Sequence, residues 1–136
     1  MEAQPIRILL VDDDVSFLHS LEALLTGEPG LEVVGKAASG EEALAVAARA
    51  EPDVSVIDVL MPTMSGIECA QLLQERYPKA RVILISGSIF EGKRPRPDER
   101  GTDAYLEKSE VPERLHATIL ALAADTTAAP PSRTDA

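Results

Sequence analysis

Six polar side chains break into otherwise apolar runs of this 136-residue chain. Asp12, Asp13 and Asp14 follow Ile6 to Val11, Asp58 follows Val54 to Ile57, Ser86 follows Val82 to Ile85, and Lys108 follows Ala104 to Glu107. Carboxylates gathered in one place repel one another unless a cation joins them. Oxygen ligands with room for water suit Mg2+ better than zinc or copper. A lysine beside them puts positive charge where a negative group must arrive, and a hydroxyl adds a hydrogen bond. Metal, ammonium and hydroxyl are the parts with which phosphoryl transfer neutralises its equatorial oxygens. A carboxylate can itself attack phosphorus and become an acyl phosphate. Asp58, at the end of the central strand, is the best placed to do so.

For these groups to meet, the segments between them must bring the run ends to one edge. The runs are rich in branched residues and read as buried strands. Between the first two, Leu18, Leu21 and Leu25 recur at helical spacing from Val15 onward, and Gly27, Pro29 and Gly30 end the pattern. Leu31 to Ala38 reads as a second, shorter strand. Ser39 with Glu42, and Ser65 with Glu68, are capping boxes that open two further helices. A last helix carries Leu115, Ile119 and Leu122. Strands alternating with helices imply βαβ units, a parallel sheet and helices on both faces. In such sheets ligands bind at the carboxyl ends of the strands, where the strand order reverses.

One stretch departs from the alternation. Glu91 to Gly101 holds two prolines, two glycines and almost no apolar residue. It predicts a loop or at most one helical turn where a fourth helix is due. Its basic residues, Lys93, Arg94, Arg96 and Arg100, are mixed with acids and read as a solvated loop. The tail from Asp125 onward is small, polar and proline-bearing, and reads as a disordered end or the start of a linker. The division expected is therefore a domain over 1–124 and a tail over 125–136.

Composition narrows the function classes. A single cysteine, Cys69, allows neither an internal disulfide nor a cysteine-based zinc site. No apolar run approaches the roughly 20 residues that span a bilayer. The start, Met-Glu-Ala-Gln-Pro, lacks the basic and apolar regions of a signal peptide, so a cytoplasmic location is expected. Thirteen basic against 23 acidic residues give a formal net charge of −10, which disfavours direct nucleic-acid binding by this segment.

The chain resembles the receiver domain of bacterial two-component response regulators, in the CheY-like superfamily, from Ile6 to about Ala124. The matching signals are Leu10-Val11-Asp12-Asp13-Asp14, then Asp58-Val59-Leu60-Met61-Pro62 with Gly66 four beyond the proline, then Ile85-Ser86-Gly87, then Tyr105-Leu106-Glu107-Lys108. Each is weak alone, and together, in order and at family spacing, they are specific. The resemblance implies a flavodoxin-like (βα)5 fold: a doubly wound five-stranded parallel sheet of order 2-1-3-4-5, here with an irregular or shortened fourth helix. It assigns Asp58 as phosphoacceptor, Asp13 as direct Mg2+ ligand and Asp12 as a ligand acting through water. The backbone carbonyl of Leu60 takes the third protein-ligand position. Ser86 matches the switch hydroxyl that binds the phosphoryl group, Lys108 the lysine that pairs with it, and Tyr105 the switch aromatic. A histidine kinase is the implied phosphodonor, and an output domain, a partner protein or a second copy are the implied downstream partners.

Taken singly, each residue has a plainer reading. Asp14 or Ser16 can cap the first helix, Asp58 can cap a turn, Ser86 is an ordinary strand-end serine, Tyr105 a half-buried aromatic and Lys108 a surface lysine. His19 and His116 read as surface or boundary residues. Three departures from the family pattern carry expectations. Lys108 is followed by Ser109 rather than proline, which predicts a trans bond and leaves Ser109 to cap the last helix. The irregular fourth element predicts that the usual dimer through that face is weakened or replaced, with the first and last helices as the alternative surface. Leu60 and Ser88 hold the variable positions flanking the phosphoryl group, and an apolar Leu60 predicts slow self-dephosphorylation. Two rivals remain at this stage. One is a phospho-independent receiver-like interaction module. The other is an aspartate-nucleophile phosphatase, whose second aspartate would stand where Leu60 does.

Overall fold

Alternate residues of each strand face opposite sides of a sheet, and here both sides are apolar. Ile8 and Leu10 belong to one buried cluster, and Leu9 and Val11 to the other. Ile83 and Ile85 against Val82 and Leu84 repeat the division in the fourth strand. Strands buried on both faces must be covered by helices on both, which is the parallel α/β solution. The computed structural model describes residues 4–87 and 103–128.

The strands are β1 (Ile6–Val11), β2 (Leu31–Ala37), β3 (Val54–Asp58), β4 (Arg81–Ser86) and β5 (Ala104–Glu107). They form one parallel sheet in the order β2-β1-β3-β4-β5, the order expected. Among the described residues the helices are α1 (Val15–Thr26), α2 (Gly40–Ala50), α3 (Gly66–Arg76) and α4 (Val111–Ala128). The first cluster lies under α1 and α4, through Leu18, Leu21, Leu25, Leu115 and Ile119. The second lies under α2 and α3, through Ala43, Val46, Ala47, Ala70 and Leu73. No helix among the described residues is long and apolar enough to cross a membrane.

The predicted caps form. The Ser39 Oγ accepts from the Glu42 amide at 3.1 Å, and the Ser65 Oγ from the Glu68 amide at 3.1 Å. Of the two candidates for α1, Asp14 is the cap: its carboxylate accepts from the Phe17 amide at 3.2 Å. Ser109 does not cap the last helix. It sits inside a 3-10 turn (Lys108–Glu110) that leads into α4. Glu107 holds the N-cap position of that turn, and Glu110 closes it by accepting from the Glu107 amide at 2.9 Å. The described residues contain no cis peptide bond, and Lys108–Ser109 is trans. α4 continues to Ala128, four residues past the expected boundary, and the rest of the expected tail, 129–136, lies outside the described residues. So does the stretch expected to be an irregular fourth helix.

The amino-terminal edge of the sheet is fastened by side chains. Asp53 accepts from the Arg7 amide at 2.9 Å, and the Arg7 guanidinium reaches the Ala50 carbonyl at 2.6 Å. Next to them Asp103 accepts from the Val82 amide at 2.7 Å and pairs with Arg81 at 3.4 Å, both side chains nearly inaccessible to solvent. These contacts fix the strand starts, and hence the register with which the opposite ends line up.

At that opposite edge α3 approaches β3 closely. The Gly66 amide donates to the Val59 carbonyl at 2.8 Å. A Cβ on Gly66 would stand 2.0 Å from the Asp58 carbonyl oxygen, so any side chain there forces the helix and strand apart. Gly66→Ala is therefore expected to lower unfolding stability by about 1–3 kcal/mol, as overpacking does, measured by urea denaturation. Unchanged stability would mean that α3 can retreat freely.

Candidate functional site

Four strand ends supply the site. Asp12 is the first residue past β1, its amide still bonded to the Ala37 carbonyl of β2 at 3.1 Å. Asp58 ends β3, Ser86 ends β4, and Lys108 is the first residue past β5. All lie at the carboxyl edge of the sheet, as the sequence predicts.

The carboxylates of Asp12, Asp13 and Asp58 converge, each offering an oxygen within 4.8 Å of the others. Asp12 is fully buried, Asp58 is buried and Asp13 is exposed. Asp12 is held at both oxygens. One accepts from the Asp14 amide at 2.9 Å, and the other faces the Lys108 ammonium at 2.8 Å. The same ammonium lies 3.7 Å from an Asp58 oxygen. Burial, Asp12 and Asp13 all push the Asp58 carboxyl upward, to about 6 from 3.8, although the neighbouring Lys108 opposes the rise. Burial pulls the Lys108 ammonium down, but Asp12, Asp58 and Asp14 outweigh it, and its pKa is raised. Three acids thus share one cation, and the net negative pocket favours a further positive charge.

The other expected residues stand as follows. Ser86 is fully buried, one position beyond the Ile85 that pairs with Asp58. Tyr105 is buried in β5 within the cluster beneath α2 and α3. Leu60, 57% exposed, stands two residues past Asp58, while Ser88 lies outside the described residues. Cys69 is buried against the Gly40 carbonyl with its thiol pushed up to about 11 by burial, which leaves it inert. His116 is paired with Glu28 at 3.4 Å, away from the acids. One neighbour of the site escaped the sequence reading. The Phe17 ring lies beneath the Lys108 ammonium, 4.2 Å from its centroid.

The response regulator receiver domain family signature matches residues 8–120. Among curated proteins, the chain is 34% identical over 112 residues to the nitrate/nitrite response regulator protein NarL of Escherichia coli K12, covering 82% of this chain and 52% of that protein. It is 38% identical over 84 residues to protein-glutamate methylesterase/protein-glutamine glutaminase 4 of Geobacter metallireducens, covering 62% of this chain and 24% of that protein. It therefore spans from about a quarter to about half of these relatives. Among solved structures, the CheY-like receiver domain protein of Methanospirillum hungatei superposes with a TM-score of 0.82 at 27% identity, over 94% of this chain and all of that one.

The raised Asp58 carboxyl has a pH signature. The folded protein keeps this proton up to about pH 6, whereas the unfolded chain releases it near 3.8. The folded state binds more protons across that window and loses stability as pH rises through it. In EDTA, Asp58→Asn is expected to stabilise the protein at pH 7.5 by on the order of 2–3 kcal/mol, and by little at pH 4. Chemical denaturation at both values checks this. An equal gain at the two would assign it to packing rather than charge.

Proposed function

Because this chain belongs to the response regulator receiver domain family, the phosphorylation-activated switches of two-component systems, we propose that it takes a phosphoryl group on Asp58 from a histidine kinase. The observation that carries this reading is the convergence of the Asp12, Asp13 and Asp58 carboxylates beside Lys108. An Asp58 oxygen attacks phosphorus as the bond to the imidazole nitrogen of a phosphohistidine breaks. The imidazole leaves with the bonding pair and takes up a proton, and Asp58 becomes an acyl phosphate. The reactive form is the ionised carboxylate, which predominates at pH 7 with a pKa of about 6.

Asp12, Asp13 and Asp58, with the backbone carbonyl of Leu60, would hold Mg2+. The donor set fits, being oxygen only, with Asp13 exposed so that water can complete the shell. Bound there, the ion supplies positive charge to the oxygens of the transferring group. In this reading Lys108 leaves Asp12 for a phosphoryl oxygen and the Ser86 hydroxyl donates to another. Tyr105, whose neighbour across the sheet is the β4 strand that ends in Ser86, transmits the change to the surface. Shifting a conformational equilibrium 100-fold needs about 2.7 kcal/mol of differential binding, within reach of two such contacts.

The working unit is taken to run through the end of α4 at Ala128 rather than to stop at 124, and to act in the cytoplasm. Its own chemistry is confined to gaining and slowly losing the phosphoryl group. The unmatched length of the relatives supports an output domain or partner protein as recipient of the signal, and the charge of −10 argues against nucleic acid as the direct partner.

Incubation with acetyl phosphate and Mg2+, followed by intact-mass analysis, is expected to add one phosphoryl group to the wild type. Asp58→Asn, or wild type in EDTA, should gain none. Labelling of Asp58→Asn would move the acceptor elsewhere. The exposed Leu60 side chain can neither accept from nor donate to an attacking water. Leu60→Asn should therefore hydrolyse its acyl phosphate several-fold faster, followed as phosphate release. A slower Leu60→Asn would show that Leu60 is not what protects the bond.

A further inference from the structure

The Lys108 ammonium is the moving part of the proposed reaction, yet a lysine head group is a poor object to aim. It is a compact charge on a flexible stem, and an ion pair fixes its distance better than its direction. Here it meets a third neighbour. Besides Asp12 at 2.8 Å and Asp58 at 3.7 Å, the ammonium sits 4.2 Å from the centroid of the Phe17 ring. Along its stem, Gly87 leaves only backbone, and a Cβ there would lie 3.4 Å from Lys108 Cδ. The Lys108 side chain is left 22% exposed.

Phe17 is itself tied to the acid cluster. The Asp14 amide donates to Asp12 at 2.9 Å and the Asp14 carboxylate accepts from the Phe17 amide at 3.2 Å, so two hydrogen bonds join Asp12 to the backbone of the residue whose ring faces its lysine. Phe17, half-buried, also packs against the cluster beneath α1 and α4. Aromatic residues make up 3% of the chain, and phenylalanine occurs twice. An arene on this ammonium is therefore not the result of aromatic abundance.

We propose that Phe17 is a positioning residue for Lys108, holding the ammonium on its ring face between Asp12 and Asp58 as it changes partner. The proposal rests on the reading of Asp58 as phosphoacceptor. A cation among the acids competes with Lys108 for Asp12, but it does not compete for an uncharged ring. The cation–π contact thus survives the step at which the Asp12 contact weakens, and keeps the ammonium within reach of the arriving phosphoryl oxygens.

Initial rates of phosphorylation by acetyl phosphate with Mg2+ test this on the full chain. The set is wild type, Phe17→Leu, Phe17→Trp, Lys108→Ala and the double variant Phe17→Leu/Lys108→Ala. Phe17→Leu keeps the apolar volume and loses the π face, and is expected to be about 3- to 10-fold slower. Phe17→Trp should stay within about twofold of wild type. In the Lys108→Ala background the leucine should cost nothing further, since a residue that acts through Lys108 has no effect without it. Phe17→Leu at the wild-type rate, an equal loss in both backgrounds, or a Trp as slow as Leu would each overturn the proposal. A wild type that takes no phosphoryl group removes the Asp58 reading as well; normal labelling beside an unaffected Phe17→Leu removes the role of Phe17 alone. Should the leucine variant fail to fold, the wild type still decides by NMR. The Lys108 Hε resonances should be shifted upfield by the ring and show cross-relaxation to it, and their absence would refute the contact.

Discussion

Three carboxylates share a single lysine at one edge of the sheet, and this unbalanced charge sets the terms for the rest of the molecule. Asp12 and Asp58 are buried, so neither can shed its repulsion into water. Left to itself such a cluster would spread apart or take up protons, and the raised Asp58 carboxyl shows the second tendency at work. Spreading is prevented because each acid is fixed to a strand end whose neighbours on both faces are packed. A stiff scaffold thus maintains a local electrostatic imbalance, and that imbalance makes the site receptive to a cation and then to a phosphoryl group.

The stiffness comes from the two apolar layers. Because alternate residues of β1, β3 and β4 serve opposite clusters, no strand can slip by one position without inverting both layers at once. The opposite edge shows the contrast. There Asp53 and Asp103 each accept from a backbone amide, and Asp103 also pairs with Arg81. Each of these acids is matched by donors of its own, whereas at the carboxyl-terminal edge three acids divide one lysine.

Much of this is legible in the residues themselves. The branched runs ending in Asp12, Asp58 and Ser86 mark the strands and the edge they share, since periodicity and a polar stop are local signals. The serine caps at Ser39 and Ser65 are equally local and form, although among the described residues Glu42 reaches the Ala38 amide rather than that of Ser39. The pairing of Arg81 with Asp103, across 22 positions, carries no such mark. Nor does the seat of Lys108 on Phe17. Phe17 reads only as one more apolar residue on a helix, and its role emerges once β5 delivers a lysine from the far end of the chain. The start of the last helix differs for a related reason. Ser109 fits the cap preference, but the 3-10 turn that leads into α4 has its N-cap two residues earlier, at Glu107, with Glu110 reaching back to the Glu107 amide. Short-range propensity names the candidates, and side-chain reach selects among them.

The Arg81–Asp103 pair bears on how Lys108 reaches the pocket. Asp103 reattaches the chain to β4 immediately before β5, and β4 itself ends at Ser86 on the far side of the sheet. With both moorings on β4, Lys108 is delivered from a point set by that strand, and the pocket inherits its register from residues the sheet already holds.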